Sequence, residues 1–325
     1  MTNPYELKES LVVENLKSYY FTSVGAVKAV DNVSIALGEG ESVGIAGESA
    51  CGKSTLGLSM MRMLQPPGKI VSGKIVLHGT DTLTMSDSEF NRKGRWKRIA
   101  MVFQGAMNAL DPVYSIKDQL KEVLKYHGFP ESEMKERIIE SVKQVGLDPS
   151  VVDRHPHELS GGMKQRVVIA MALILKPEFV IADEPTTALD VIVQAQIINL
   201  LKKLKKEGMT IMLITHDLAI ISEIAEKIGI MYAGEIVEFG SAEQIYIAPK
   251  HPYTQALISA IPRLKGDKKF SHVKGSPPNL ANPPKGCRFY DRCPHAMDVC
   301  KQDPPMIRMK EGFVRCWLYD EKSQQ

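Results

Sequence analysis

The stretch GESACGKS, Gly47 to Ser54, matches the phosphate-binding pattern G-x-x-x-x-G-K-[ST]. It follows a short apolar run, Ser42 to Ala46, which predicts a strand, and it opens a segment whose apolar residues recur at helical spacing. In such a loop the backbone N–H groups and the helix N-terminus face phosphate groups. Lys53 adds a positive charge at the β and γ phosphates, and Ser54 offers a hydroxyl to Mg²⁺. The stretch therefore predicts a site for a magnesium nucleotide on an α/β fold. Cys51, inside the loop, is interpreted as a small filler, because no histidine that would activate it is visible nearby in the sequence.

Two more short apolar runs predict buried parallel strands. They are FVIADEP, Phe179 to Pro185, and TIMLITHD, Thr210 to Asp217. The segment VIVQAQIINLLKKLKKEG between them is an amphipathic helix that Gly208 ends. Strand, helix and strand at this spacing predict a βαβ unit and a parallel sheet.

The ends of these two strands carry polar side chains suited to nucleotide hydrolysis. Asp183 would hold the metal, and Glu184 would orient or deprotonate the attacking water. His216 ends the next strand, so we expect it near the γ-phosphate.

The middle of the chain has a different pattern. From Ser115 to Leu147 two polar helices follow each other without a strand, which predicts a helical subdomain inserted into the α/β core. Ser160, Gly161 and Gly162 form a second glycine-containing turn at a helix N-terminus, and this is a second anion-binding end. After Ser241 the periodic signal weakens, and Pro249, Pro252, Pro262, KGDKK and GSPPNLANPPKG indicate a linker into a small tail.

Composition narrows the class of protein. The chain has 325 residues, 44% of them hydrophobic, and a net charge of +3, so a large core is expected and nucleic acid is not indicated as a partner. The run RKGRWKR, Arg92 to Arg98, is interpreted as a solvated surface. The start MTNPYELKES lacks a signal peptide's features, and no stretch approaches eighteen uninterrupted apolar residues, so no membrane span is predicted.

The order of the motifs resembles that of the ATP-binding cassette (ABC) ATPases. The phosphate loop, LSGGMKQR, ADEPTTALD and THD follow one another as in that family, and the resemblance runs from about residue 10 to 262. It implies an ABC-type nucleotide-binding domain with a parallel-sheet core, an antiparallel β part and an inserted helical subdomain. It also implies that two cassettes face each other, and that the signature turn of one contacts the nucleotide of the other.

The resemblance also assigns residues. Glu184, His216, Gln104 and Lys53 would be catalytic, and Ser54, Gln104 and Asp183 would hold Mg²⁺. ATP would contact Tyr20, Gly47, Glu48, Ser49, Ala50, Cys51, Gly52, Lys53, Ser54 and Thr55. The other cassette's ATP would contact Ser160, Gly161, Gly162 and Asp190. Tyr19 is the alternative to Tyr20 for the aromatic that stacks on adenine, and an ordinary strand aromatic is the plain interpretation of both.

VKAVDNVSIALGEGESVGIAGESACGKST, HPHELSGGMKQRVVIAMAL and HPYTQALISAIPRL look like the dipeptide/oligopeptide transport ATP-binding proteins of bacterial and archaeal importers. This implies a homologous second ATPase or a self-dimer, two transmembrane permease subunits, indirectly an extracellular substrate-binding protein, no nucleic acid, and a peripheral position on the cytoplasmic side of the cell membrane. We expect residues 1–245 to form the nucleotide-binding domain, with its helical subdomain at about 105–165, and residues 246–325 to form a C-terminal extension. Gly105 and Ala106 stand where relatives often carry an acid and a proline. This segment leads toward the surface that would dock on the permease.

Four of the five cysteines lie in the last part of the chain. Cys287, Cys293, Cys300 and Cys316 are separated by five, six and fifteen residues. The absence of a close C-x-x-C pair argues mildly against zinc, and four thiolates can also hold an iron–sulfur cluster. The resemblance implies a 4Fe-4S cluster in a small Cys-rich C-terminal domain, with Zn²⁺ as the alternative and four free thiols as the plain interpretation.

The sequence leaves functions other than ATP-driven peptide uptake open. Relatives also move nickel or oligosaccharides. A DNA-repair or chromosome-associated ABC ATPase shares these motifs, but such proteins typically carry long coiled coils or base-contacting modules, and neither is visible. A ribosome-associated protein of this class would have two cassettes, whereas this chain has one phosphate loop and one signature turn.

Overall fold

The computed structural model describes residues 9–260 and 275–320. Over these residues the strands are β1 Glu9–Thr22, β2 Gly25–Gly38, β3 Ser42–Ala46, β4 Gly68–Leu77, β5 Thr80–Asp81, β6 Ile99–Val102, β7 Phe179–Asp183, β8 Thr210–Ile214, β9 Lys227–Tyr232, β10 Glu235–Ser241, β11 Met306–Met309 and β12 Gly312–Arg315. The α-helices are α1 Lys53–Met60, α2 Asp87–Lys93, α3 Ile116–Tyr126, α4 Glu131–Gln144, α5 Gly161–Leu173, α6 Val191–Lys206, α7 Leu218–Ile224, α8 Ala242–Ile247 and α9 Pro252–Ser259. Short 3-10 turns lie at Thr82–Thr84, Ala106–Ala109, Pro149–Asp153, Pro156–Glu158, Tyr290–Arg292, Asp298–Lys301 and Trp317–Tyr319.

The chain divides into two compact units. The loop unit consists of Leu11–Leu37, Ser42–Thr80 and the chain from Leu213 onward, and it contains the phosphate loop. The helical unit consists mainly of Asp81–Met212, together with Gly38–Glu41. The boundary between the units falls within β8.

The loop unit contains an antiparallel part and a parallel part. Strand β1 lies between β2 and β4, and it pairs antiparallel with β4, with Tyr20 opposite Gly68. Strand β3, all of whose residues are buried, pairs parallel with β9. Strand β9 continues into β10 as an antiparallel pair, and the β11–β12 hairpin pairs with the far side of β10, where Phe313 is opposite Phe239. The β11–β12 hairpin is therefore part of the same sheet as β3, the strand that leads into the phosphate loop.

The helical unit is built on a parallel pair and a helical core. Strands β6 and β7 pair in parallel, and both are buried. Helix α3 begins after Ser115, whose side chain accepts a hydrogen bond from the Asp118 N–H, and it buries Ile116, Leu120 and Leu124 at helical spacing. These residues join one apolar cluster with α4 and α5, namely Leu110, Ile116, Leu120, Leu124, Met134, Ile138, Val142, Val151, Val152, Leu159, Val167, Ile174 and Leu175.

Several predicted elements are confirmed. The strand before the loop is β3, the strand–helix–strand segment is β7, α6 and β8, and the two polar helices are α3 and α4, with no strand between them. The region after Ser241 differs from the expected linker, because it begins with helices α8 and α9, the second with Pro252 in its first turn. Proline is accepted there because the first turn of a helix leaves its N–H groups unpaired. The predicted linker residues KGDKK and Pro262, and the first eight residues, lie outside the described ranges.

Within residues 9–260 and 275–320, the structure has no helix with the length and apolar content needed to cross a lipid bilayer.

Candidate nucleotide site

The phosphate loop is built at the carboxyl end of β3, and its two glycines are required by the space around them. Gly47 and Gly52 both have positive φ, at 155° and 109°. A Cβ at Gly47 would lie 2.0 Å from the Met231 carbonyl oxygen, and one at Gly52 would lie 1.8 Å from the Ala29 carbonyl oxygen. Only glycine fits at either position, and these two residues let the backbone turn tightly into α1.

The lysine of the motif is folded into the loop. Lys53 is buried, and its Nζ donates to the carbonyl oxygens of Gly47, at 2.8 Å, and Glu48, at 3.0 Å. Its ammonium is therefore held where a polyphosphate in the loop would meet it. Together with the glycine turn and the N-terminus of α1, this arrangement suits ATP, and Ser54 in the first turn of α1 is placed to offer a hydroxyl oxygen to Mg²⁺.

Cys51 is buried beneath the loop. Burial raises the pKa of its thiol, against the opposing effect of Lys53, whose Nζ lies 3.8 Å from Sγ. A thiol that stays protonated is a poor nucleophile. The geometry agrees with a filler role.

Tyr20 and Tyr19 on β1 point in opposite directions, as neighbours in a strand do. The Tyr20 hydroxyl lies 3.4 Å from Oγ1 of Thr55 in the first turn of α1. The Tyr19 hydroxyl donates to Oδ1 of Asp31 at 2.6 Å, and burial together with this hydrogen bond raises the pKa of Tyr19. Of the two, Tyr20 is the aromatic beside the phosphate loop.

Asp183 and Glu184 lie in the helical unit, at the end of β7. Asp183 is buried, whereas Glu184 is partly exposed and has φ 48°, in the left-handed region that residues with a side chain rarely adopt. The Glu184 carboxylate accepts a hydrogen bond from Oγ1 of Thr187 at 3.1 Å. The backbone turn therefore directs the two carboxylates differently, and such strained residues are common at functional sites.

Gln104 and His216 each follow a buried strand. Gln104 is exposed in the helical unit, two residues after the end of β6, and Gly105 next to it has φ 67°. His216 is exposed in the loop unit, between β8 and α7. Both residues thus lie two positions beyond the end of a strand, and for His216 this is the position that the sequence predicts.

The residues expected to contact a second nucleotide are brought together in the helical unit. Ser160 caps α5, accepting from the Met163 N–H at 3.3 Å, and Asp190 caps α6, accepting from the Ile192 and Val193 N–H groups at 3.0 Å. The two helix starts pack closely, because a Cβ at Gly162 would lie 2.5 Å from Cγ1 of Val193. Ser160, Gly161 and Asp190 are exposed, so two helix N-termini face solvent side by side.

The phosphate loop is also held by residues from the last third of the chain, which motif reasoning missed. Arg292 forms two hydrogen bonds with the Glu48 carboxylate, both at 2.9 Å, and the Glu48 N–H donates to the Tyr253 hydroxyl oxygen at 2.9 Å. These contacts join residues 244 and 205 positions apart. No local sequence pattern predicts such pairs. The sequence shows only that an arginine lies beside one of the cysteines.

A second arginine of the same segment braces the turn next to the loop. Buried Arg288 pairs with Asp31 and donates to the Ala233 carbonyl oxygen, and the following N–H, of Gly234, donates to the Cys51 carbonyl oxygen at 2.8 Å. Burial alone would raise the pKa of Asp31, but the Tyr19 hydrogen bond and the Arg288 charge lower it overall. The Asp31 carboxylate is therefore ionised at neutral pH.

The iron–sulfur prediction, and with it the zinc alternative and the metal-binding role of this segment, is wrong. Across the described parts of the chain, no three or more His, Cys, Asp or Glu side chains are grouped so that they could hold a metal ion. Cys287, Cys293, Cys300 and Cys316 are unbridged and line one cavity of about 10 Å³, which has room for no more than a water molecule. Burial raises the pKa of Cys287 to about 12 and of Cys316 to about 11, whereas metal ligands must be thiolates. The thiols are packing groups in this structure.

Comparison with known proteins agrees with this geometry. Residues 30–187 match the ABC transporter family, and residues 237–300 match the family described as the oligopeptide/dipeptide transporter C-terminal region. Among solved structures, the chain is similar to the ATP-binding cassette MJ0796, solved as a dimer in a post-hydrolysis state with ADP and Pi. The TM-score is 0.63 at 29% identity, over 71% of this chain and 98% of that one. It is also similar to cbiO1 from Clostridium perfringens, with a TM-score of 0.64 at 28% identity, over 74% and 92% of the two chains. The fold is that of an ABC ATPase.

Whole-chain relatives narrow the class. The chain is 45% identical to the dipeptide transport ATP-binding protein DppD of Caldanaerobacter subterraneus, over 95% of this chain and 97% of that one. It is 42% identical to the oligopeptide transport ATP-binding protein AppD of Bacillus subtilis, over 97% and 98%, and 44% identical to DppD of Escherichia coli, over 92% and 93%. The chain belongs to the dipeptide and oligopeptide transport ATP-binding proteins of the ABC transporter family.

Proposed function

We propose that this protein is the ATP-hydrolysing subunit of an importer that couples Mg-ATP binding and hydrolysis to the uptake of di- and oligopeptides across the cytoplasmic membrane. The observation that carries the proposal is the phosphate loop, in which only glycine fits at positions 47 and 52 and Lys53 is held against the loop carbonyls. The names of the relatives support peptides as the cargo.

Each motif residue has a role in this proposal. Lys53 binds the β and γ phosphates, and Tyr20 stacks on the adenine. Glu184 orients the attacking water and accepts its proton, while His216 and Gln104 hold the γ-phosphate and the water in line. The remaining loop residues from Gly47 to Thr55, other than Glu48, donate backbone and hydroxyl contacts to the phosphates, since the Glu48 N–H donates to Tyr253.

Mg²⁺, held by Ser54, Gln104 and Asp183, would supply charge neutralisation at the β and γ phosphates when bound. ATP and Mg²⁺ are the ligands expected of ABC ATPases, and the three side chains carry the oxygen atoms that Mg²⁺ prefers.

Ser160, Gly161, Gly162 and Asp190 serve the nucleotide of a facing cassette. Two exposed helix N-termini that lie side by side offer their N–H groups to an anion from outside the chain. The facing cassette is a homologous ATPase subunit, or a second copy when this chain is isolated. Purified alone, the protein would then hydrolyse ATP weakly, because each complete site needs a partner's turn.

The protein would act at the cytoplasmic face of the membrane, bound to two permease subunits through the helical subdomain at about 105–165, with a substrate-binding protein outside. Residues 1–245 would form the nucleotide-binding domain, and residues 246–325 would form an extension that packs on it. Helices α3, α4 and α5, with their shared apolar core, give this subdomain a rigid body that can transmit force.

The test is reconstitution in proteoliposomes with the permeases, the second ATPase and the binding protein. We expect a labelled dipeptide to accumulate only with ATP on the cytoplasmic side, and phosphate release to rise with the loaded binding protein. Accumulation of Ni²⁺ or an oligosaccharide instead of the peptide would reassign the cargo. ATP hydrolysis with no uptake of any of the three would contradict the importer proposal.

A further inference from the structure

We propose that Arg292 and Tyr253 are positioning residues for ATP: they hold Glu48 so that the phosphate loop is neutralised and shaped before nucleotide binds. The inference rests on the proposed nucleotide site and adds to it two residues from outside the ABC motifs. Both residues and the loop belong to the loop unit.

The pair between Arg292 and Glu48 has the geometry of a strong interaction. Nη1 meets Oε2 and Nη2 meets Oε1, both at 2.9 Å, so the two planar groups bond as a fork. The Arg292 side chain is only 6% exposed and that of Glu48 26%. Arg292 also donates to the Tyr232 hydroxyl at 3.1 Å and lies over the Tyr232 and Phe289 rings. A guanidinium fixed on several sides holds its partner in one place.

Tyr253 fixes the backbone of the same residue. Its hydroxyl oxygen accepts from the Glu48 N–H at 2.9 Å, and the ring is fully buried against Tyr232 and Phe289, with ring centroids 4.5 and 5.4 Å away. The Glu48 carbonyl oxygen accepts from Lys53. The amide, carbonyl and carboxylate of Glu48 are thus all engaged, two of the three by residues of the C-terminal part of the chain.

Charge explains why the carboxylate is paired. The phosphate loop carries an acid, Glu48, at its second position. An unpaired carboxylate at this position would repel a polyphosphate. Arg292 cancels that charge from outside the motif, through two hydrogen bonds to the Glu48 carboxylate. Without Arg292 the carboxylate would be repelled by the phosphates, or would bond Lys53 and take the ammonium from them.

Arg288 gives the same segment a second attachment four residues earlier. It binds the Ala233 carbonyl beside Gly234, whose N–H holds the Cys51 carbonyl. Segment 288–292 therefore supports the loop at two points, directly at Glu48 and, through Gly234, indirectly at Cys51.

The experiment measures the Kd of Mg-ATP and the ATP KM and kcat of Arg292→Ala, Arg292→Lys, Tyr253→Phe and the double variant Arg292→Ala/Glu48→Gln. The matched control is Lys301→Ala, which removes an exposed cation of the same C-terminal part, paired with Asp298. Urea unfolding of every variant separates binding from stability.

We expect Arg292→Ala to weaken ATP binding about tenfold, through KM and with kcat little changed, since one charge is unmasked several ångströms from the phosphates. Glu48→Gln in that background should restore most of the affinity, because it removes the unmasked charge. Arg292→Lys should lie between, since it keeps the charge and loses the fork. Tyr253→Phe should weaken binding about threefold to tenfold through the lost acceptor, and Lys301→Ala should bind as the unchanged protein does.

Unchanged affinity in Arg292→Ala would overturn the proposal, as would a loss that Glu48→Gln does not repair. If Arg292→Ala fails to fold, unchanged ATP affinity in Tyr253→Phe is by itself enough to overturn the proposal. If the unchanged protein binds no Mg-ATP, the proposed function fails as well, whereas normal binding by the unchanged protein with no effect in the variants refutes only the positioning role.

Discussion

The Nζ of Lys53 lies 2.8 Å from the carbonyl oxygen of Gly47, so the cation of the phosphate loop is bonded to the glycine that begins the loop. This contact holds the ammonium within the loop, where we expect it to form charge-assisted hydrogen bonds to the phosphate oxygens of a nucleotide.

Replacing Lys53 with Met should abolish ATP binding while the fold persists, because the methionine keeps the apolar stem and loses the charge. Isothermal titration with Mg-ATP would measure the loss, which we expect to exceed about a hundredfold, since charge-assisted bonds to both phosphates disappear. Lys176→Met, which removes an exposed lysine paired with Glu140, is the control and should bind normally. Retained affinity in Lys53→Met would contradict the assigned site.

Glu184→Gln should separate binding from turnover. The amide keeps the size of the carboxylate and an oxygen for the Thr187 hydroxyl, but it no longer accepts a proton. We expect phosphate release by the assembled transporter to fall about 10²- to 10⁴-fold with ATP affinity retained. Glu207→Gln, at an exposed position after α6, controls for surface charge. An unchanged rate in Glu184→Gln would show that another group is the base.

Gly52→Ala and Gly79→Ala should differ in stability although both replace a glycine at positive φ. A Cβ at Gly79 would have nothing within 4 Å, whereas a Cβ at Gly52 would lie 1.8 Å from a backbone oxygen. Gly79→Ala should cost about 1–2 kcal/mol from backbone strain alone, and Gly52→Ala several kcal/mol more because the backbone must move. Urea unfolding measures both, and equal losses would refute the steric requirement at Gly52.

Tyr20→Ala should weaken ATP binding about threefold to tenfold if the ring stacks on adenine. The comparison is Tyr19→Phe, which removes only the hydrogen bond to Asp31 and should leave nucleotide affinity intact. Titration with ATP and with tripolyphosphate distinguishes base contacts from phosphate contacts, since only ATP should respond to Tyr20→Ala. Equal losses of affinity for ATP and for tripolyphosphate in Tyr20→Ala would contradict stacking by Tyr20.

His251 should make the protein less stable as the pH falls below neutrality. It is buried, its Nδ1 accepts from the Tyr253 N–H at 3.1 Å, and burial lowers its pKa from 6.5 to about 3. Between these pH values the unfolded chain binds a proton that the folded chain does not, so the stabilisation is complete above pH 6.5 and is lost as the pH falls toward 3. The slope approaches about 1.4 kcal/mol per pH unit.

Comparison with His251→Asn isolates this effect, because asparagine can still cap α9. Glu238, whose backbone-bonded carboxylate has a pKa raised by burial, acts with the opposite sign but is common to both proteins. The advantage of the unchanged protein in urea midpoint at pH 7 should therefore shrink at pH 5. Parallel pH profiles would refute the assignment.

The core elements of the fold are visible in sequence because their signals are local. The loop motif, the fully buried β3 and β7, and the Ser115 and Asp190 helix caps each depend on a few adjacent residues. The turn at Ser160 was predictable for the same reason.

The features that the sequence did not predict depend mainly on contacts between residues far apart in the chain. The Arg292–Glu48 pair spans 244 positions, and helices α8 and α9 are too short to give a clear period between their prolines. The metal-centre prediction from the four cysteines was wrong for a different reason. Four thiols in one segment indicate a metal centre by composition, but spacing does not determine whether the folded chain leaves a cavity large enough for one.

The pairing of β12 with β10 makes the β11–β12 hairpin a protective cover. Strand β10 is buried along nearly its whole length, and the hairpin occupies the hydrogen-bonding groups on the side that β9 leaves open. A protein cut before Met306 would present that side as an unpaired strand edge, which could pair with another molecule. The hairpin thus covers an edge of β10, and we expect it to prevent edge-to-edge strand pairing between molecules.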